Sequence, residues 1–134
     1  VIDSHLDFIK SGADVIVTNN FSTRRVRMVQ NNVEELFDYA NEKAGELALK
    51  AKEISKKNVL IAGSLPAQND TYVVDRRDKR IIEKGFYEQA KLIKPFVDFF
   101  YQEISHLKCN VPQLEVDFQL LGVFLHLYQF CFQN

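Results

Sequence analysis

Three short apolar runs recur along the chain, at residues 14–18, 59–63 and 97–101, with helix-length segments between them. This alternation is the strongest constraint on the fold. Runs such as Val15-Ile16-Val17 and Val59-Leu60-Ile61-Ala62 are apolar without a polar alternate, the pattern of strands buried on both faces of a parallel sheet. Parallel neighbours need a crossover connection, and the intervening segments are long enough to supply helices. The reading is α/β, built from successive β-α units. A doubly wound sheet and part of a (β/α)8 barrel both fit. A complete barrel takes about 250 residues, and this chain has 134, so a barrel here is a partial one.

The segments between the runs support this. Residues 4–11 read as a short helix stopped at Gly12. Ser22 or Thr23 is placed to cap a helix over 24–38, which carries Val26, Val29, Val33, Leu36 and Phe37. A second helix spans 40–56. Its stripe of Ala40, Ala44, Leu47, Ala51 and Ile54 favours close packing, and Glu46 and Lys50 stand at i,i+4 on the other face. Residues 64–80 form a long loop, of a length often associated with function. A helix resumes over 81–94 and ends at Pro95.

Composition narrows the classes. With 46% hydrophobic and 26% charged residues, the chain belongs with globular proteins and not with disordered ones. Seventeen basic residues against eighteen acidic ones, net charge -1, argue against a nucleic-acid binder. The Arg24-Arg25-Arg27 and Arg76-Arg77-Asp78-Lys79-Arg80 clusters read as solvated surface, since they lack the interleaved aromatics of a nucleic-acid groove. Cys109 and Cys131 make no C-x-x-C unit, and a reducing, cytoplasmic location is the expectation. Residue 1 is not Met and no signal pattern follows, which fits a processed, trimmed or partial sequence. Residues 118–132 are strongly apolar and Phe-rich. They are shorter than a membrane span and contain His126 and two Gln, so they read as a core or interface segment.

In parallel α/β proteins, ligands bind beyond the carboxyl ends of the strands. That rule selects Thr18-Asn19-Asn20, Gly63-Ser64, and Glu103. The asparagines offer amide donors and acceptors to a polar ligand, or equally to their own loop. Gly63, with no Cβ, allows close backbone approach beside the Ser64 hydroxyl. Glu103 is a carboxylate suited to an ammonium group. Asp14 and Asp98 fall at the opposite, amino-end face and read as caps or surface charges. His5 reads as packed and hydrogen-bonded. The three histidines and two cysteines show no metal-ligand spacing, and Gly-rich phosphate loops are absent.

These strand-end residues carry a resemblance to the homocysteine S-methyltransferase family. Residues 5–21, HLDFIKSGADVIVTNNF, resemble the family's H-x-x-Y-[IL]-x-A-G-A-D-[IV]-I-x-T-N-T-[FY], with Ser11 for Ala and Asn20 for Thr. Residues 61–72, IAGSLPAQNDTY, resemble its G-S-[LI]-x-P segment, with Pro66 one position early. Tyr87-Glu88-Gln89-Ala90 and residues 97–103 resemble Y-x-x-Q and D-x-[FL]-x-x-E-T, with Gln89 one position early and Ile104 in place of Thr.

The resemblance implies a (β/α)8 barrel that moves a methyl group from a sulfonium or other donor onto the homocysteine thiol, giving methionine. It implies substrate-binding roles for Asn19, Gly63, Ser64 and Glu103, the last gripping the amino group. It also implies a zinc ion, held in the family by three cysteines of a Gly-Gly-Cys segment and a later Cys-Cys pair. Neither occurs here, Cys109 and Cys131 do not match them, and no metal or catalytic residue is assigned to this chain. The expected organisation is a partial homocysteine-binding barrel over 1–105, about units two to four, and an atypical apolar tail over 106–134. Such a piece is expected to lack turnover alone and to self-associate through open sheet edges, with homocysteine and a methyl donor as partners and no nucleic acid or membrane. The alternative is a non-catalytic interaction module that docks through its Phe-rich tail.

Overall fold

The computed structural model describes residues 1–69 and 75–102. Its order is α1 (Ile2–Lys10), β1 (Val15–Val17), α2 (Arg25–Gln30), a 3₁₀ turn (Glu34–Leu36), α3 (Phe37–Ser55), β2 (Leu60–Leu65), α4 (Lys79–Ile93), a second 3₁₀ turn (Lys94–Phe96) and β3 (Phe99–Gln102). The three strands form one parallel sheet in the order β1-β2-β3. Ile16 is opposite Ile61, Ala62 opposite Phe99, and Ser64 opposite Tyr101. The expected strands and their parallel order are present.

Local chemistry explains most boundaries. Helix α1 stops where Gly12 takes φ +99°, and two bonds close its end: Gly12 N–H to the Ile9 carbonyl at 3.2 Å and Ala13 N–H to Phe8 at 3.1 Å. The segment 24–38 is not one helix. It breaks at Asn32, which turns left-handed at φ 56°, a conformation Asn adopts more readily than most residues. Neither Ser22 nor Thr23 caps α2; Arg24 occupies the N-cap position without a side-chain cap bond. Helix α4 is capped by Asp78, whose carboxylate accepts from Arg80 N–H at 2.8 Å. Pro95 lies in the 3₁₀ turn that follows α4, as its missing N–H dictates. On α3, Glu46 takes Lys43 at 2.7 Å, one turn back, rather than Lys50.

One sheet face is helix-covered. Ile9 of α1 and Ala48 of α3 pack with Ile16, Val59 and Ile61, while Phe86, Ala90 and Ile93 of α4 pack with Leu65 and Phe100. Small residues allow this approach: a Cβ on Gly45 of α3 would stand 2.5 Å from the Phe96 ring. The other face leaves Val15, Val17, Leu60 and Tyr101 more than two-fifths exposed. A parallel sheet normally has both faces covered, so this face is unpartnered among the described residues.

Candidate functional site

The carboxyl ends of β1 and β2 lie side by side, because Thr18 N–H extends the ladder by donating to the Ala62 carbonyl at 2.9 Å. From residue 15 to residue 20, exposure and burial alternate strictly. Asn19 therefore follows Val15 and Val17 and is exposed, while Thr18 and Asn20 follow Ile16 into the interior. The two asparagines that adjoin in sequence therefore lie in opposite surroundings.

Asn20 is fully buried and structural. Its Nδ2 donates to the Ser64 carbonyl at 3.0 Å and to Asn41 Oδ1 at 3.2 Å, and its Oδ1 accepts from the Thr18 hydroxyl at 2.6 Å. Thr18 Oγ1 in turn accepts from Ser64 N–H at 2.9 Å. Asn41 of α3 donates to the Thr23 and Phe37 carbonyls. The Thr23 hydroxyl is 2.8 Å from both the Asn20 carbonyl and Asn41 Oδ1. Gln89 of α4 donates from Nε2 to the Asn20 carbonyl at 3.2 Å and to Asn41 Oδ1 at 3.1 Å, and accepts at Oε1 from Gln68 at 3.0 Å. Every amide nitrogen in the group meets acceptors, which is what lets neutral polar side chains remain buried.

Two arginines hold the loop after β2 from outside this network. Arg24 Nη1 donates to the Ala67 and Asn69 carbonyls at 2.9 and 2.8 Å, with its guanidinium over the Phe21 ring. Arg77 donates to the Gln68 carbonyl and pairs with Asp75. The Arg77 guanidinium, hydrogen-bonded to Asp75, holds that carboxyl below its usual range. Arg25 joins α2 to α4 through Glu88 at 2.8 Å and also reaches Glu34 at 3.1 Å. Arg24 is thus buried, contrary to the expectation of a solvated cluster. Its planar fork can satisfy several carbonyls at once, and the Phe21 ring covers its face.

Of the residues selected from sequence, Asn19 and Ser64 stand at adjacent strand ends. Gly63 is also there, but its missing Cβ serves packing: a Cβ would lie 3.0 Å from both Ile93 and Phe100 on the helix side. Glu103, both cysteines, His106, His126 and the apolar run at 118–132 lie outside the described residues. Asp98 is structural, accepting from Ile61 N–H at 2.7 Å and Lys52 at 3.2 Å. His5 is packed as expected, but its Nε2 has no hydrogen-bond partner among the described residues. Burial, with the nearby amino terminus, pushes its pKa down.

Asn41, Gln68 and Gln89 are not among the strand-end residues selected from sequence. A signal for two of them lies in the helices. Asn41 stands on the stripe of Phe37, Ala44 and Ala48, and Gln89 on that of Phe86, Ala90 and Ile93. An amide on an apolar stripe announces a buried partner.

Comparison with known proteins identifies the family and the fold. The family model of homocysteine S-methyltransferase matches residues 1–115. The chain belongs to the homocysteine S-methyltransferase family. A search of curated proteins finds no match. Among solved structures, the homocysteine methyltransferase MmuM from Escherichia coli, in its metallated form, is similar at a TM-score of 0.65 and 20% identity. The match covers 76% of this chain and 41% of that one, so the chain spans less than half the length of this relative. That likeness establishes a shared fold.

The family neighbour carries a metal. Among the described residues, no group of three or more His, Cys, Asp or Glu side chains is placed to hold one. The described residues therefore do not by themselves fit a metal centre. No helix among them is long and apolar enough to cross a membrane.

Proposed function

We propose that this chain forms part of the amino-acid pocket of a homocysteine S-methyltransferase, which transfers a methyl group to the homocysteine thiol to give methionine. The match to the family over residues 1–115 carries this reading. The sheet is read as part of a (β/α)8 barrel, with the uncovered face of Val15, Val17, Leu60 and Tyr101 turned toward the barrel interior.

Within that pocket, Asn19 supplies an exposed amide at the end of β1. Ser64 adjoins it from β2, with Gly63 contributing backbone only because its open side faces the helices, and in sequence the Glu103 carboxylate follows β3 to grip the substrate ammonium. The zinc that the resemblance implies would activate the thiol by favouring the thiolate. No residue assigned here supplies its ligands. The chain alone is therefore read as a binder of homocysteine without turnover.

Calorimetric titration of the 134-residue chain with L-homocysteine tests this. Binding is expected, with about a tenfold loss on Glu103→Gln, the size of one charge-assisted hydrogen bond. Absence of binding by the unaltered chain overturns the pocket assignment. Methionine formed by this chain from homocysteine, zinc and S-methylmethionine or S-adenosylmethionine overturns the statement that it lacks turnover.

A further inference from the structure

We propose that Gln89 is a positioning residue of this pocket: its buried carboxamide ties the loops after β1 and β2 together, so that Asn19 and Ser64 keep one relative arrangement. The proposal rests on the reading that these two loops face the amino-acid substrate. Gln89 is fully buried on α4, so it touches no ligand and acts only through its neighbours.

Three observations carry it. The first is reach. Nε2 donates to the backbone carbonyl of Asn20, the residue next to Asn19, and to Asn41 Oδ1. Oε1 accepts from Gln68, whose Nε2 also donates to the Pro66 carbonyl at 3.1 Å. One side chain thus joins the β1 loop, α3 and the β2 loop. The second is closure. Asn20 Nδ2 donates back to the Ser64 carbonyl, so the path from Gln89 through either loop returns to the same pair of strand ends. Displacing one loop breaks bonds in the other.

The third is surroundings. Phe86, Ala90 and Ile93 share the helix stripe with Gln89, and an apolar side chain would suit that stripe. An amide there is costly unless its partners use it. Gly85, one turn before Gln89, adds a packing constraint on the same link. A Cβ on Gly85 would stand 2.6 Å from Gln68 Oε1. The loop side chain is held between the glycine and the Gln89 carboxamide.

The test uses the full 134-residue chain and two variants. Gln89→Glu keeps length and an acceptor for Gln68, but turns an oxygen toward the Asn20 carbonyl and Asn41 Oδ1. Gly85→Ala moves Gln68 without altering Gln89. Protection against amide hydrogen exchange is followed in residues 18–23, 64–69 and the core of α3, together with homocysteine affinity. In Gln89→Glu, exchange is expected to rise about tenfold in both loops, beyond any change in α3, with a similar loss of affinity. Lowering the pH until the introduced carboxyl is protonated restores a donor and slows both loops again. In Gly85→Ala, exchange rises in 64–69 and affinity falls, while 18–23 changes less.

Loops that change only in step with α3 show a general loss of stability and overturn the proposal, as does unchanged affinity in both variants. If Gln89→Glu does not fold, Gly85→Ala decides: exchange and affinity both unmoved there overturn it. If the unaltered chain binds no homocysteine, the functional reading fails, and the linkage of the two loops is judged on exchange alone.

Discussion

The sheet is pinned by polar groups at both ends, and the two ends use opposite chemistry. Where β3 begins, a single carboxylate does the work: Asp98 accepts from Ile61 N–H and Lys52, and both charged side chains remain partly in water. At the carboxyl ends, five side chains with no formal charge, Thr18, Asn20, Asn41, Gln68 and Gln89, are buried together. An ionised group needs water or a desolvated partner, and removing it from water is costly. Neutral amides avoid that cost and supply donors and acceptors in equal measure. The buried end is thus built for fixed geometry, and the rim end for a bond that salt can weaken.

The largest effect is expected at the buried end. Asn41→Leu removes an acceptor shared by Asn20, Thr23 and Gln89 and two donors to backbone carbonyls. The expected loss is about 3 kcal/mol, from several buried groups left without partners. Urea unfolding measures it, and a loss below about 1 kcal/mol would mean that the network does not hold this end together. At the rim, Asp98→Ala deprives Ile61 N–H of its acceptor and costs about 1–2 kcal/mol. Asp98→Asn keeps an acceptor and removes the charge, for about 0.5 kcal/mol. That smaller loss should disappear in high salt, since the pair is partly exposed. If both ends respond equally to salt, the contrast between them is wrong.

The smallest effect sharpens the same contrast with a group that is buried and titratable. Burial lowers the His5 pKa from its ordinary value near 6.5. Between the lowered folded value and that ordinary value, the unfolded chain binds more protons, so stability falls as the pH drops below 6.5 and is level above it. Thermal unfolding of His5→Leu between pH 7.5 and pH 5.5 should show a flatter dependence than the unaltered chain. The amide network has nothing to titrate there, and an equal slope in the variant would assign the acid sensitivity to other groups.

Much of the scaffold is legible in the chain. The runs at 14–18, 59–63 and 97–101 mark strands because short, mainly apolar stretches without polar alternation suit a parallel ladder. Gly12 and Pro95 mark helix ends because each has a backbone property that ordinary residues lack. Asn32 shows the limit. Its left-handed turn divides the segment 24–38, yet the apolar spacing continues across it. The exposure of Asn19 and burial of Asn20 also follow from strand alternation continued past the strand end. The strand-end rule selected residues at the carboxyl ends of the strands, but it did not tell the exposed Asn19 from the buried Asn20 and its partners.

Sequence by itself determined the elements, their parallel order and the ends at which polar chemistry gathers, because helix and strand periods are local and reach only a few residues. Tertiary structure decided which polar side chains are buried and what they hold. Gln89 meets the Asn20 carbonyl from 69 positions away, and Arg24 meets carbonyls 43 and 45 positions on. A buried amide or guanidinium is stable only when its partners arrive in the right geometry. For these residues that arrival depends on three β-α units packing side by side, which no local pattern of residues records.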